Sequence, residues 1–272
     1  TEQQPADFSE KFTDKFLAEE ENNIIGQELY QSQNLYIQIT SFRQNDSDVY
    51  VADIYLRSMD CLQRGFGGGK WKKSQAKVGR IAEDNYAVMA MTGDNSQNFT
   101  AGWVVANGNI LRKTKNSKRD LCLIYRTGEM VTLKAAQIDH KKITDEMDQL
   151  WQSFLFGPVL LDENGKAMTK FNTNVGPANP RSVIGYYEPG HYCLVQVDGR
   201  RTESRLEKGK INVGMTMKQT SALMEQLGCA AAYNLDGGQS SVLWYNGENL
   251  SNPYNGGRNV MDAVLILDGA VN

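Results

Sequence analysis

Residues 229–241 read CAAAYNLDGGQSS, an apolar run that leads directly into asparagine, aspartate, two glycines and two serines. A short apolar run bounded by turn formers is typical of a strand inside a sheet. An Asp-Gly step alone would be an ordinary turn, because both residues favour turn conformations. This stretch holds more polar and glycine residues than a turn needs, and paired glycines let a ligand approach the backbone. We therefore predict a core strand that ends at a ligand site.

Further strand signals lie on both sides of this segment. Short runs that are continuously apolar, or that alternate and are rich in β-branched and aromatic residues, predict strands. These runs are residues 35–39, 49–56, 86–91, 159–161, 182–185, 191–197 and 263–267. Asn107-Gly108 and Thr127-Gly128 each separate two strand-like runs, which is typical of tight hairpins. Sheet structure is therefore predicted for most of the chain.

Two helix signals interrupt the strands. Thr216 and Gln219 form a capping box before a helix that ends at Gly228. Residues 144–154 place apolar side chains on one helical face behind a threonine cap. Because strands alternate with only a few helices, we predict an α+β fold with a mixed β-sheet core and a few packing helices.

The first 30 residues differ in composition from the rest of the chain. They are acidic and rich in Gln and Asn, yet Phe8, Phe12 and Phe16 recur at helical spacing. We therefore predict an N-terminal helix within residues 1–30, as a lead-in to one domain over residues 31–272.

Composition argues against several classes of function. The 272 residues are 40% hydrophobic and 22% charged, as in an ordinary globular protein, and the net charge is −3. A chain without a broad positive field is poorly suited to nucleic acid, whose phosphates must be neutralised. Four dispersed cysteines and two histidines give no zinc spacing, and no apolar stretch is long enough to span a membrane. We therefore predict no nucleic acid partner, no cofactor and no metal.

One local run of positive charge stands apart from this balance. Arg112, Lys113, Lys115, Lys118 and Arg119 follow one another closely in a loop-like stretch. Such runs are usually solvated loop charge, and the same run fits a contact with an anionic polymer. Both interpretations stay open from the sequence.

A second Asp-Gly step ends another predicted strand. Asp198-Gly199-Arg200 follows residues 191–197, and Arg181 opens the strand before it. Asp and Gly are favoured in turns for backbone reasons alone, so in isolation this step fits an ordinary turn as well as a ligand site. Arg181 also fits a buried salt bridge that organises the Asp-Gly turns, and Arg200 also fits a solvated hairpin arginine.

Together these motifs resemble the phosphodiester glycosidase family. The resemblance rests on residues 180–185, 197–200, 214–216 and 234–241, and it covers roughly residues 85 to 268. Members of this family remove a sugar from a phosphodiester. The resemblance therefore implies a hydrolase whose partner is a carbohydrate phosphodiester.

The resemblance also implies a set of site residues. Its catalytic members are Asp198, Asp236 and Arg181. Its substrate-binding members are Arg200, Asn234, Gly237, Gly238, Ser240, Ser241, Thr92, Gly93, Asp94 and Arg258. The sequence departs from the family pattern at Thr92, Gln239 and Asp262, where Asn, Gly and Asn are more usual.

Three functions fit these residues. The first is hydrolysis of a sugar-1-phosphodiester in a surface glycopolymer, such as a teichoic-acid-like chain or an exopolysaccharide. The second is a non-catalytic glycan-binding module of the cell surface, which the departures at Thr92 and Gln239 favour. The third is a metal-dependent hydrolase that uses Asp198, Asp236 and Asp262.

The start of the chain bears on location. It begins at Thr1 without an initiator Met, which suggests either a trimmed chain or a processed protein whose export or anchor segment was removed. Together with the family resemblance, this predicts a location outside the cell or at the cell surface.

Overall fold

The computed structural model describes residues 4–115 and 118–269. Strands make up most of the regular structure in these residues. The strands are β1 (Ile24–Ile25), β2 (Leu29–Gln31), β3 (Leu35–Gln44), β4 (Ser47–Leu56), β5 (Leu62–Phe66), β6 (Ala87–Thr92), β7 (Val104–Ala106), β8 (Asn109–Arg112), β9 (Leu121–Tyr125), β10 (Met130–Leu133), β11 (Leu150–Phe154), β12 (Arg181–Glu188), β13 (His191–Val197), β14 (Thr202–Glu203), β15 (Ile211–Asn212), β16 (Ala231–Asn234), β17 (Leu243–Tyr245), β18 (Glu248–Asn249) and β19 (Asp262–Leu267). The α-helices are α1 (Val78–Asp84), α2 (His140–Asp145) and α3 (Met217–Gln226).

The strands form antiparallel sheets. The large sheet has the order β1-β2-β3-β4-β13-β12-β16, and a five-stranded sheet has the order β18-β17-β6-β19-β5. A three-stranded sheet, β10-β9-β11, and the pairs β7-β8 and β14-β15 complete the set. The predicted sheet core with a few packing helices is confirmed, but the mixed sheet is wrong, because the sheets are antiparallel and the fold is mostly β with short helices. Many neighbouring strands are joined by short turns, and such turns join antiparallel strands only.

The main core lies between the large sheet and the five-stranded sheet. Ile37 and Ile54 of the large sheet belong to the same buried cluster as Met91 and Val264 of the five-stranded sheet. Helix α3 covers the outer face of the large sheet, and helix α1 covers the outer face of the five-stranded one. The strands that these helices cover are therefore apolar on both faces.

The predicted N-terminal helix is absent from residues 4–30. Phe8 and Phe12 are buried instead in a chain of turns, and the Phe12 ring meets the Tyr55 ring edge-on at 5.1 Å. Further along, β1 and β2 extend the large sheet. Aromatic side chains spaced four apart also suit a turn that docks on a sheet, and here tertiary packing decides the conformation. The division into a lead-in and a domain stays a prediction.

The helix predicted over residues 144–154 is also wrong. Helix α2 ends at Asp145, and its N-cap is Asp139, which accepts hydrogen bonds from two backbone amides. Residues Leu150–Phe154 form strand β11, fully buried and paired with β9. Over a short apolar run, a buried strand and a buried helix give the same sequence pattern.

Most other local predictions are confirmed. The remaining predicted strands and both hairpins are present, apart from residues 159–161, which make only isolated bridges. The capping box is present too, since Gln219 N donates to Thr216 Oγ1 at 3.2 Å and Thr216 N donates to Gln219 Oε1 at 2.8 Å. Within the described ranges, the helices are too short or too polar to cross a membrane.

The strand register brings three distant segments to one edge of the large sheet. Arg181, the first residue of β12, lies opposite Val197, the last residue of β13. Asn234, the last residue of β16, lies opposite Val183 in β12. The turns that follow β13 and β16 therefore leave the sheet beside the start of β12.

Candidate functional site

A cavity of about 240 Å³ opens at this edge, and we call it the site cavity. Its lining residues are Phe156, Val175, Asn179, Arg181, Arg200, Asn234, Asp236, Gly237, Gly238, Gln239 and Arg258. The sequence predicted seven of these residues as site residues: Arg181, Arg200, Asn234, Asp236, Gly237, Gly238 and Arg258. The other predicted residues lie outside the lining.

Arg181 is a buried cation without an acidic partner. Its side chain lies in the wall of the cavity, and the residue is 2% exposed. Nε donates to Met215 O at 2.9 Å, and Nη2 donates to Val175 O at 2.8 Å and to Pro177 O at 2.5 Å. Among residues 4–115 and 118–269, no carboxylate lies within 4.0 Å of its guanidinium group. The salt bridge considered from the sequence is therefore not formed there.

Burial also changes the acidity of Arg181. Removal from water disfavours the charged form and lowers the pKa of its guanidinium group to about 10. The group is still protonated at neutral pH. Because neutral carbonyls alone balance its charge, an anion in the cavity would stabilise it further.

Arg200 reaches the cavity from a strained turn. Arg200 and Arg201 have φ values of 54° and 65°, in the left-handed region that non-glycine residues rarely adopt. Thr202 N donates to Gly199 O at 3.2 Å and closes the turn. The Arg200 Nε lies 3.3 Å from Asn179 Oδ1, to which it donates. Strain of this kind persists where the surrounding structure holds it, and it often marks functional positions.

Asp236 supplies the carboxylate of the cavity. The residue is 7% exposed, and its Oδ2 lies 3.6 Å from Arg258 Nη2. Its backbone N donates to Gly93 O at 3.0 Å, which fixes the turn against the end of β6. Burial raises the pKa of the Asp236 carboxyl group, and the positive charge of Arg258 opposes this shift.

The two residues after Asp236 are glycines because other atoms lie too close to leave room for a side chain. A Cβ on Gly237 would lie 2.7 Å from Pro180 O. Gly238 has a φ of +60°, and a Cβ there would lie 2.7 Å from Arg200 Nη2. Glycine at position 238 therefore provides both the backbone conformation and the space for the Arg200 guanidinium group.

Asn234 presents an unsatisfied oxygen beside the cavity. Its Nδ2 donates to Gly157 O at 2.8 Å. Its Oδ1 is buried and has no hydrogen-bond partner in the described part of the chain. A buried acceptor without a donor is unfavourable, so a ligand hydroxyl group at this position would be stabilised.

Four predicted residues support the cavity from behind. Arg258 Nε donates to Ser240 Oγ at 2.6 Å, while Thr92 Oγ1 donates to Ser240 O. Ser241 Oγ lies 2.7 Å from the hydroxyl oxygen of Ser182 in the sheet. Gly93 accepts from Asp236 N through its carbonyl oxygen. These contacts position the turn and Arg258, and the substrate-binding roles of the four residues stay predictions.

Asp198 lies outside the cavity lining. The residue is 1% exposed, its Oδ2 accepts from Asn252 N at 2.8 Å, and its Oδ1 has no partner among the described residues. Burial raises the pKa of the Asp198 carboxyl group to about 7, and Asp48 contributes to the rise. The resemblance implies a catalytic role for Asp198, but the residue does not line the site cavity. The catalytic role stays a prediction.

Asp94 belongs to a buried ion cluster behind the Phe156 wall. Arg64 Nε lies 2.6 Å from Asp262 Oδ2, and Arg64 Nη2 lies 3.4 Å from Asp94 Oδ2. Asp94 Oδ1 accepts at 2.6 Å from the backbone N of both Leu155 and Phe156. Burial raises the pKa of the Asp94 carboxyl group to about 6, and Arg64 opposes the rise.

The metal-site hypothesis had grouped Asp262 with the two Asp-Gly aspartates. Asp262 instead accepts from Asn95 N at 2.9 Å and pairs with Arg64. Over the described ranges, no group of three or more His, Cys, Asp or Glu residues is arranged to hold a metal ion.

The sequence missed some of the residues that line the cavity. Phe156, Val175 and Asn179 carried no motif, although residues 172–180 stood out as a long polar stretch with Gly and Pro. Long irregular loops in compact domains are often functional, so this signal pointed to the segment without identifying residues.

Comparison with known proteins gives one family and several structural relatives. The model of the phosphodiester glycosidase family matches residues 82–267. The chain is similar in structure to the catalytic domain of zebrafish N-acetylglucosamine-1-phosphodiester alpha-N-acetylglucosaminidase auto-inhibited by pro-peptide. The identity is 18%, the TM-score is 0.66, and 90% of this chain and 85% of that chain are covered. No curated protein matches the chain significantly.

Two bacterial structures are also similar. A hypothetical protein from Synechocystis has 13% identity and a TM-score of 0.62, with 86% of this chain and 62% of that chain covered. A candidate exported protein from Burkholderia pseudomallei has 14% identity and a TM-score of 0.55, with 81% and 74% covered. At these identities the likeness shows a shared fold.

Proposed function

The chain belongs to the phosphodiester glycosidase family, and on that premise we propose that it hydrolyses a sugar-1-phosphodiester within a glycan or surface glycopolymer. The observation that best supports this proposal is the pairing in one cavity of the unbalanced Arg181 cation with the Asp236 carboxylate. In a phosphodiester joined to a sugar, the phosphate anion would bind Arg181 and the anomeric carbon would lie near Asp236. We place this activity outside the cell or at the cell surface, where such polymers lie.

In the proposed reaction, water attacks the anomeric carbon and the bond between that carbon and the phosphate oxygen breaks. Arg200, whose Nη1 and Nη2 remain available in the described part of the chain, holds the phosphate oxygens with two parallel hydrogen bonds. Arg181 adds its positive charge and Nη1, because its Nε and Nη2 already donate to backbone carbonyls. The products are a free sugar and a phosphate monoester. Since a phosphate monoester is a good leaving group, the reaction depends less on a strong general acid than ordinary glycoside hydrolysis does.

Asp236 is assigned to the anomeric carbon. Its carboxylate stabilises the positive charge that develops on the sugar ring and accepts the proton of the attacking water. Arg258, 3.6 Å away, opposes the effect of burial and favours the ionised carboxylate that this role needs. Asn234 Oδ1 accepts a hydrogen bond from a sugar hydroxyl group.

Asp198 is assigned to positioning. Its carboxylate accepts from Asn252 N, and the same segment carries Tyr254, whose ring lies 5.4 Å from the Arg200 guanidinium carbon. Asp198 thereby holds the loop against which Arg200 packs. This positioning role is proposed beside the direct catalytic role that the sequence resemblance implies, which stays a prediction.

The test measures release of free sugar from a sugar-1-phosphodiester. The Asp236→Asn variant is expected to lose about 10³-fold in kcat with its thermal unfolding unchanged, because it lacks the general base. Asp84→Asn, which removes a carboxylate from the exposed face of α1, is the matched control and keeps the wild-type rate. Hydrolysis in ¹⁸O-labelled water places the label in the sugar. Label in the phosphate, or full activity of Asp236→Asn, contradicts the proposal, and binding without turnover supports the glycan-binding alternative.

A further inference from the structure

A second and larger cavity of about 440 Å³ adjoins the site cavity, and the two share Phe156 and Val175 as walls. Besides these walls, the second cavity is lined by Phe99, Lys118, Arg119, Asp120, Asn172, Thr173 and Asn174. We call this surface the basic trough. A ligand too long for the site cavity can therefore continue past Phe156 into the trough.

The basic trough is positively charged in a chain whose net charge is −3. Lys118 and Arg119 line it, and an adjoining recess that shares both residues adds Lys115. Its acidic residue is Asp120, whose oxygens accept from Ala135 N and Val159 N at 3.0 Å. The Asp120 carboxylate is thus held by the backbone. Positive charge concentrated on one side of an acidic protein attracts anionic ligands.

Arg119 is held in place within the trough. Its guanidinium carbon lies 3.7 Å from the centroid of the Phe99 ring, and its Nη1 lies 3.5 Å from Phe156 O, at the limit for a hydrogen bond. In the described segments, no carboxylate lies within 4.0 Å of its guanidinium group. An arginine oriented by an aromatic ring and free of carboxylates is suited to bidentate contact with a phosphate group.

From this arrangement we infer that the basic trough binds the next phosphodiester of a polymeric substrate. The inference rests on the proposed function, because it assigns the scissile phosphodiester to Arg181 and the following one to Arg119. The Phe156 ring lies between the two cavities, where the apolar face of an intervening sugar packs against it. The substrate class is therefore a chain of sugar-phosphate repeats, and a single sugar phosphodiester with a neutral aglycone fills the site cavity and leaves the basic trough empty.

The experiment compares a monomeric substrate, a sugar-1-phosphodiester with a methyl aglycone, and an oligomer of at least three sugar-phosphate repeats. In the Arg119→Gln variant, KM for the oligomer is expected to rise about tenfold, the effect of one lost charge-assisted contact. The kinetics on the monomer should stay within about twofold of wild type. Arg119→Lys keeps the charge and should recover part of the loss.

Lys113→Gln is the matched control, since Lys113 is an exposed member of the same basic run and lies outside both cavities. It should leave both substrates unaffected. Equal effects of Arg119→Gln on monomer and oligomer, or no effect on either, overturn the inference. Calorimetric binding of the oligomer separates the two proposals. If wild type binds the oligomer about tenfold more tightly than Arg119→Gln but hydrolyses neither substrate, the binding role of the basic trough is supported and the proposed hydrolysis is contradicted.

Discussion

Arg64 and Arg181 are both buried arginines, and their surroundings differ in one respect. Arg64 lies between the carboxylates of Asp94 and Asp262, at 3.4 Å and 2.6 Å. Arg181 donates to backbone carbonyls and has no carboxylate within 4.0 Å among the described residues, although it is equally removed from water. The first charge is balanced by the fold itself. The Arg181 charge has no carboxylate within 4.0 Å in the ranges that the structure describes, and an anion bound in the cavity would balance it.

This difference separates a structural role from a binding role. Burying an ion is unfavourable unless a partner of opposite charge and hydrogen bonds compensate for the lost water. Burying the Arg181 charge without a carboxylate lowers the free energy of unfolding, and binding of an anion would offset this loss. We therefore expect changes at Arg64 to affect stability first and changes at Arg181 to affect substrate first.

The largest effect is expected for Arg64→Met. This change leaves two buried carboxylates without their cation, so the free energy of unfolding should fall by about 3–5 kcal/mol. Urea denaturation measures it. Adding Asp94→Asn and Asp262→Asn to the same chain removes the unpaired charges and should restore part of the stability. An Arg64→Met protein with an unchanged free energy of unfolding would show that the buried ion cluster does not stabilise the fold.

The next effect concerns Arg181→Gln. We expect kcat/KM for a sugar-1-phosphodiester to fall at least about 100-fold, or roughly 2.7 kcal/mol, because the phosphate loses its buried cation. The free energy of unfolding should change by only about 1 kcal/mol, from lost carbonyl hydrogen bonds. Arg112→Gln is the control, since Arg112 also donates to carbonyls, of Gly102 and Ala101, away from the site cavity. A control that lost as much activity would refute the special role of Arg181.

A smaller effect is expected for Gly238→Ala. The new Cβ would lie 2.7 Å from Arg200 Nη2 and displace that guanidinium group from the cavity. We expect kcat/KM to fall about tenfold, the effect of one weakened charge-assisted hydrogen bond. Gly209→Ala is the matched control, because Gly209 has a φ of +80° with no atom within 4 Å of the added carbon. Equal activity of the two variants would show that only backbone strain matters.

The last prediction concerns stability alone, which should depend on pH because of Asp198. Its folded pKa of about 7 lies above the ordinary value of 3.8, so the folded chain retains a proton that the unfolded chain releases. Its contribution is fully present below pH 3.8 and is lost as the pH rises through about 7. Asp198→Asn should therefore gain stability relative to wild type between pH 4 and 7, by up to about 1.4 kcal/mol for each pH unit. A constant difference across this range in denaturation experiments would contradict the raised pKa.

The sequence predicts local structure well where one residue decides the backbone. Asn107-Gly108 and the Thr216 capping box are confirmed because glycine and a side-chain cap act within a few residues. The N-terminal helix and the helix over residues 144–154 failed because apolar spacing alone does not say which partner buries the side chains. The packing of Phe12 on Tyr55 is a long-range contact that no local pattern contains.

The candidate site shows the same division. Asp236 and its two glycines are visible in the sequence, since their density exceeds what a turn requires. The difference between Arg64 and Arg181 is not visible, because it depends on which carboxylates the folded chain brings within 4.0 Å. Asp198 illustrates the limit most clearly: its Asp-Gly step matches that of Asp236, and the register places only one of the two in the cavity lining.

The proposed function depends most directly on whether Arg181 binds the phosphate group. The measurement is calorimetric titration of a simple phosphate monoester, the leaving group of the proposed reaction, into wild type and Arg181→Gln. We predict saturable binding to wild type and at least about tenfold weaker binding to the variant, with both proteins folded. Equal affinity in the two proteins would contradict the claim that this buried charge is balanced by substrate.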